Sequence, residues 1–89
     1  MTQINVATRR WLDARGQERR FHYGLLVRET AAADFFCEEY GVRVWEDGGG
    51  DVSVPAVTTS AERADELLAL LIEHQVGPAA LKDVVADWL

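Results

Sequence analysis

Few side chains in this sequence could do nucleophilic or acid–base chemistry: it has one cysteine, Cys37, and two histidines, His22 and His74. A cysteine becomes a nucleophile when a nearby cation or base favours its thiolate. Cys37 instead follows two phenylalanines and precedes Glu38 and Glu39. Apolar burial and neighbouring carboxylates both disfavour a thiolate. We therefore expect a core cysteine with no catalytic or redox role.

The two histidines have no other metal-ligating residues at a spacing typical of a metal site. His22 stands between Phe21 and Tyr23, so in a strand it points away from their face. His74 lies near the end of a predicted helix, where the helix dipole favours a charged imidazole. We therefore expect a surface or capping role for each of the two histidines. We expect no catalytic residue, no metal and no cofactor, and hence no enzyme.

The glycine run Gly48–Gly50 is the one stretch that could cradle a phosphate. Such a cradle needs a helix N-terminus behind the glycines. Here a strand-like segment follows, and Asp47 and Asp51 on either side would repel an anion. The run is predicted to be a hairpin loop.

Arginines are concentrated at the front of an acidic chain. The net charge is −6, yet residues 1–30 hold six arginines and three acids, whereas the remainder holds three cations and twelve acids. One interpretation is attraction between the two parts within a single fold. The other is a nucleic-acid surface, because arginines with interleaved aromatics can bind single strands. The residues for that surface flank one predicted turn: Arg9, Arg10, Arg19 and Arg20.

These side chains must be positioned by two hairpins. Alternation over residues 3–12 and 19–29, with a turn ending at Gly16, predicts the first. An alanine run after Thr30 predicts a short helix that ends at Gly41. A valine-rich second hairpin follows, and its last strand contains Pro55, which places that strand at a sheet edge.

The last third predicts two helices. Thr59 and Glu62 match a capping box before a leucine stripe, and Gly77-Pro78 separates that helix from the next. A helix-turn-helix bound to DNA is disfavoured, because Lys82 is the one cation from residue 78 onward. The fold prediction is α+β, a four-stranded antiparallel sheet (ββαββαα) with two C-terminal helices packed on one face. A single domain, 1–89, then comprises a basic hairpin (1–30), a short helix (31–40), a second hairpin (41–58) and a helical hairpin (60–89).

Strand alternation sends a second set of residues to the sheet face away from the helices. This set contains tryptophans and aliphatics with an arginine nearby, a composition typical of interfaces. Either the N-terminal strand or the short helix folds over this face, or a partner protein or a second copy binds it. The predicted interface residues are Trp11, His22, Leu26, Arg43, Trp45, Pro55 and Val57. A non-catalytic interaction or regulatory module is the preferred function, with nucleic-acid binding as the alternative.

Three segments carry a family resemblance: residues 35–42 (FFCEEYGV), 57–60 (VTTS) and 77–89 (GPAALKDVVADWL). Together they resemble a family of small uncharacterised bacterial proteins, found mainly in Firmicutes and catalogued as domain of unknown function 6514. The resemblance covers roughly residues 20–89 and implies an intracellular bacterial protein, with no reaction attached. The longest apolar run, Leu67 to Ile72, is too short for a membrane helix, and the N-terminus lacks a signal-peptide pattern. A cytoplasmic location is therefore expected.

Overall fold

The computed structural model describes residues 1–32 and 35–89, with side chains for all of these except 31, 32, 35 and 36. Four strands come first and helices close the chain. The strands are β1 (Thr2–Leu12), β2 (Glu18–Ala32), β3 (Phe35–Glu46) and β4 (Asp51–Thr58). Helix α1 (Ala61–Glu73) follows, then a 3₁₀ turn (Pro78–Ala80) and helix α2 (Leu81–Trp88).

The strands form one antiparallel sheet in the order β1-β2-β3-β4. Each pair of neighbours is also adjacent along the chain. Gly16 and Gly48 adopt positive φ angles of 75° and 70° in the turns between β1 and β2 and between β3 and β4, a conformation that glycine adopts without steric cost. The α+β prediction and the four-stranded sheet are confirmed, and Pro55 does lie in an edge strand.

The predicted short helix over 31–40 is wrong. Strand β2 continues to Ala32, β3 already begins at Phe35, and the two pair in continuous register, with Thr30 opposite Cys37. Alanine's helix propensity is a weak local preference, and cross-strand pairing overrides it here. The order is therefore four strands and then two helices, with residues 33 and 34 outside the described part.

Strands β2 and β3 extend beyond the strands on either side of them. The pairing of β1 with β2 ends at Val27, and that of β4 with β3 ends at Tyr40. Residues 28–32 and 35–39 therefore form a two-stranded ribbon, which we call the arm. Its length explains a molecule measuring 55 × 23 × 17 Å.

The core lies between the two helices and the part of the sheet outside the arm. Its fully buried side chains come from β2, β3 and both helices, so every layer contributes. Burial of this kind contributes roughly 1.5–3 kcal/mol per large aliphatic side chain. The largest of them are Tyr23, Val42, Val44, Leu67, Leu71 and Leu81. We call this side of the sheet the covered face and the other side the uncovered face.

Helix α1 begins one residue later than the capping box predicts. Ser60 is the N-cap, and its hydroxyl accepts a hydrogen bond of 3.2 Å from the backbone N–H of Arg63. Thr58 accepts one from the backbone N–H of Ser60 at 3.1 Å. Pro78 opens the 3₁₀ turn before α2, as the Gly77-Pro78 pair predicts.

Tyr23 lies at the centre of the core with its hydroxyl hydrogen-bonded. The hydroxyl donates to the carbonyl oxygen of Val76 at 3.0 Å, and burial raises the pKa of Tyr23 to about 12. A tyrosine that ionises near pH 10 in the unfolded chain but near 12 in the fold stabilises the fold fully below pH 10. That stability is lost as the pH rises towards 12.

We therefore expect the free energy of unfolding to fall by about 1.4 kcal/mol per pH unit above pH 10 on account of Tyr23. Tyr23→Phe should remove this contribution, and should cost about 1–2 kcal/mol at neutral pH because the Val76 carbonyl loses its partner. Urea unfolding at several pH values between 8 and 11 measures both. Tyr40 is present in both proteins, so it cancels in the comparison. Parallel pH profiles of the two proteins would contradict the prediction.

Candidate interaction surface

The uncovered face has an aromatic–arginine group at its centre, which we call the Trp45 cluster (His22, Gly24, Arg43 and Trp45). His22 lies opposite Trp45 on the neighbouring strand, and their rings stack with centroids 5.3 Å apart. The Arg43 guanidinium carbon lies 4.4 Å from the centroid of the Trp45 ring. Gly24 leaves room for the indole, since a Cβ there would lie 3.2 Å from Trp45 Cζ3. Sequence alternation therefore correctly placed these side chains on one face.

Hydrogen bonds to residues of two other strands, β1 and β4, hold Arg43 in place. It donates from Nε and Nη2 to the two carboxylate oxygens of Asp51 at 2.8 and 2.5 Å, and from Nη1 to Gln3 Oε1 at 2.8 Å. The bond with Asp51 raises the pKa of Arg43 and lowers the pKa of Asp51. The guanidinium is thus ordered before any partner arrives, although residue spacing alone assigns neither Gln3 nor Asp51 to this site.

His22 is bonded through both ring nitrogens. Nδ1 lies 2.9 Å from the Thr8 hydroxyl oxygen, and Nε2 lies 2.8 Å from a carboxylate oxygen of Asp47. A hydroxyl, an imidazole and a carboxylate in series can activate a nucleophile when they are sheltered and face oxyanion donors. Thr8 and Asp47 are both exposed to solvent. We therefore assign this series to orienting the imidazole against Trp45.

Two of the predicted interface residues lie elsewhere, which corrects the prediction. Trp11 and Val57 pack against the hydrophobic core. In β1, a bulge between Asn5 and Ala7 inserts one residue, so Trp11 lies opposite Arg19 on the covered face. In β4, two extra residues separate the pairs Val42–Val54 and Tyr40–Thr58, and Val57 lies within this irregular stretch. Regular alternation therefore predicts the facing of neither Trp11 nor Val57.

The other predicted interface residues are on the uncovered face. Leu26 is only 5% exposed, so it offers a partner little surface. A shallow cavity is lined by Leu26 together with Met1, Gln3, Arg43 and Pro55, among others. The predicted two-tryptophan surface is thus reduced to a region around Trp45 that is rich in hydrogen bonds.

The four arginines predicted for nucleic-acid contact are divided between the two faces. Arg9 lies opposite Phe21 and is on the covered face, together with Arg19, whereas Arg10 and Arg20 lie opposite each other on the uncovered face. Arg19 binds Glu46 through two hydrogen bonds of 2.5 and 2.8 Å, and these lower the pKa of Glu46.

A carboxylate also lies near Arg10 and Arg20 on the uncovered face. Glu18 lies within 3.8 Å of Arg10 and 3.6 Å of Arg20. Glu18 belongs to the same basic part of the chain as these arginines, so the attraction between the two parts is supported instead by the pairs Arg19–Glu46 and Arg28–Glu39.

Cys37 is exposed, so the expectation of a core cysteine is wrong. The error follows from the predicted helix. In the extended arm, Cys37 lies opposite Thr30 on the uncovered face, beyond the end of β4.

Strand β1 forms one open edge of the sheet. It is 11 residues long, and three of its aliphatic side chains are among the most exposed in the described part of the chain: Ile4 (49%), Val6 (46%) and Leu12 (70%). The opposite edge, β4, contains Pro55, which lacks a backbone N–H, and α2 packs beside it. The two edges therefore differ in their capacity to accept another strand.

A shallow cavity of about 230 Å³ lies where the β1 bulge meets the Trp45 cluster. It is lined by four consecutive β1 residues, 5–8, and by His22 and Trp45. The open edge and the Trp45 cluster are thus parts of one continuous surface. The sequence contains the exposed aliphatics of β1, but the bulge that creates the cavity leaves no recognisable signal in it.

Within residues 1–32 and 35–89, no group of three or more His, Cys, Asp or Glu side chains is arranged to hold a metal ion. Over the same residues, neither helix has the length and apolar character needed to cross a membrane. No curated protein and no solved structure matches the chain. The model of a family of unknown function, DUF6514, matches residues 2–89, nearly the whole chain, and the protein therefore belongs to that family.

Proposed function

We propose that this protein is a non-catalytic interaction module of the cytoplasm that binds an extended segment of a partner protein along β1. The observation that supports this most directly is the open edge of β1, with Ile4, Val6 and Leu12 exposed along its length. A strand at a sheet edge presents unpaired N–H and C=O groups, and these can form a ladder with an added strand.

Protection against such pairing is uneven in this sheet. Edge strands are commonly blocked by proline, charged side chains (lysine above all), bulges or a covering element. The β4 edge has Pro55 and the nearby helix α2, whereas β1 has neither proline nor lysine. The bulge interrupts β1 once and leaves a regular stretch of six residues, Ala7–Leu12, paired with β2. That stretch is long enough for a short added strand.

The adjacent cavity would supply specificity. In strand addition, main-chain hydrogen bonds provide affinity and pockets select alternate side chains. The cavity of about 230 Å³ is smaller than the roughly 300–1,000 Å³ of typical small-molecule sites, so it suits one side chain rather than a whole ligand. His22 and Trp45 line it in an orientation that their hydrogen bond and stacking already hold.

Selection of random peptides on the immobilised protein tests the proposal without assuming a partner. We expect the enriched peptides to perturb backbone amide NMR signals of β1 above those of the helices. Val6→Asp and Ile4→Asp, which place a negative charge on the open edge, should weaken binding at least tenfold. Ala69→Asp is the matched control, because it adds the same charge at an exposed site on α1. Peptides that bind all three variants equally, or that perturb only helix signals, would overturn the proposal.

Nucleic-acid binding by Arg9, Arg10, Arg19 and Arg20 is the second candidate, favoured by the basic hairpin itself. It requires affinity for a single-stranded oligonucleotide that falls steeply with salt. The division of these arginines between two faces and the pairing of Arg19 with Glu46 favour the strand-binding proposal. A flat oligonucleotide titration at low salt would eliminate this candidate.

A further inference from the structure

We infer that the segment bound by β1 is acidic, with two successive carboxylate residues facing Arg9 and Arg10 and a large apolar side chain next along. This inference rests on the proposed function and specifies the chemistry of the partner. A second copy of the chain and a neutral segment are the alternatives that the experiment distinguishes.

Charge around β1 is opposite in sign to that of the whole protein. Strand β1 holds Arg9 and Arg10 and no carboxylate, and residues 1–20 hold five arginines against Asp13 and Glu18, whereas the net charge is −6. Opposite charges placed across a strand pair contribute roughly 0.2–1 kcal/mol, and like charges destabilise it. An acidic strand is therefore attracted to β1 and repelled by most of the remaining surface.

The same charges disfavour β1 of a second copy as the occupant. Two β1 strands would bring Arg9 and Arg10 of each copy into one new strand pair without a carboxylate between them. The requirement for the opposite charge is therefore met by a different segment.

The positions of the two arginines determine the order of residues in the partner. Arg9 lies on the covered face and Arg10 on the uncovered face, and successive residues of an added strand alternate in the same way. Two neighbouring carboxylates would thus each meet one arginine. The Arg10 side chain is 67% exposed, and its carboxylate neighbour, Glu18, is 3.8 Å away, so it can take a closer partner.

The cavity predicts the type of the third residue in the partner segment. Thr8 shares the uncovered face with Arg10 and lines the cavity together with His22 and Trp45. In an antiparallel added strand, the residue two positions after the carboxylate opposite Arg10 stands opposite Thr8. A large apolar side chain there would enter the cavity, giving the order acid, acid, apolar.

Three blocked heptapeptides test the inference: Thr-Val-Glu-Glu-Phe-Val-Thr, the same peptide with Gln-Gln in place of Glu-Glu, and the same peptide with Lys-Lys. Binding is measured by NMR titration at about 20 and 200 mM salt. We expect the Glu-Glu peptide to bind β1 at least tenfold more tightly than the Gln-Gln peptide at low salt, with the advantage shrinking at high salt. The Lys-Lys peptide should bind most weakly.

Variants of the protein test whether the preference for the Glu-Glu peptide arises from β1. The double variant Arg9→Gln/Arg10→Gln should abolish the preference for Glu-Glu over Gln-Gln. Arg15→Gln should retain most of it, because it removes a charge from the same hairpin but from the turn rather than the strand. An equal loss in both variants would indicate general attraction and overturn the inference.

The failures of the inference and of the proposed function are distinguishable. If selected peptides perturb β1 amides but the Gln-Gln peptide binds as tightly as the Glu-Glu peptide, acidity is wrong and strand binding stands. If no peptide perturbs β1, both fail. Light scattering of the free protein provides the remaining outcome: a dimer disrupted by Val6→Lys would make a second copy the occupant and overturn the acidic-partner inference.

Discussion

Replacing Gly41 by alanine is expected to lower the free energy of unfolding by about 3 kcal/mol. Gly41 lies in β3 where the irregular part of β4 presses against it, and a Cβ would lie 2.5 Å from the carbonyl carbon of Pro55 and closer still to the carbonyl oxygen of Val54. Both are backbone atoms, so no side-chain rotation relieves the clash. Chemical denaturation and the thermal midpoint measure the loss, which should be about 12–24 °C for a domain of this size.

Gly24→Ala is the matched control on the neighbouring strand. There the Cβ would lie 3.2 Å from the ring of Trp45, which is a side-chain atom that can shift by a few tenths of an ångström. We expect a loss well below that of Gly41→Ala. Equal losses in the two variants would mean that the β4 backbone does not press on Gly41 as described.

Replacing Trp11 by alanine should lower the free energy of unfolding by about 2–3 kcal/mol, because Trp11 is partly buried and packs against the core on the covered face. Its ring packs on Phe21 with centroids 5.6 Å apart, and the Arg19 guanidinium lies 5.1 Å from its centroid. Trp45→Ala should cost less, since Trp45 lies on the uncovered face outside the core cluster. Urea unfolding of the two variants makes the comparison directly.

A third variant separates packing from hydrogen bonding at this position. The indole N–H of Trp11 is buried and meets no acceptor among the residues that the structure describes. Trp11→Phe retains an aromatic ring and removes the unpaired donor, so it should cost much less than Trp11→Ala. If Trp11→Ala is no more destabilising than Trp45→Ala, the assignment of Trp11 to the core is wrong.

Periodicity predicted the elements that pack against the core. The alternation of Phe21, Tyr23, Leu25 and Val27 indicates a strand, and the leucine stripe of α1 indicates a helix that covers it. These patterns are readable because each apolar residue contributes burial energy at a fixed spacing. The fold class and the side of the sheet covered by the helices were therefore predictable.

The arm was not predictable by the same means. Its strands are stabilised by pairing with each other, for example of Arg28 with Glu39 and of Thr30 with Cys37, whereas the alanine run has a local preference for helix. Helix propensity and cross-strand pairing favour different structures here, and the pairing determines the fold. The error about Cys37 followed from that disagreement.

The candidate site was predictable in part. Alternation placed His22, Arg43 and Trp45 on one face, but the roles of Thr8, Asp47 and Asp51 depend on side-chain geometry that spacing does not contain. The exposed edge of β1 became visible only once the strand order was known. The bulge in β1 determines the face on which Trp11 lies, and no residue type in β1 indicates that a bulge is present.

The extra residue in β1 has a consequence for changes in chain length. Side chains of a strand alternate between the two faces, so one extra residue reverses the alternation. Before the bulge the even-numbered residues of β1 lie on the covered face, and after it the odd-numbered residues do. Deletion of Val6, the residue without a partner in β2, would remove the bulge and leave the pairs Asn5–Gly24 and Ala7–Tyr23 in place, so Trp11 would stay on the covered face. The cavity would lose one of its lining residues, so this single deletion should abolish the cavity while the core contact of Trp11 is retained.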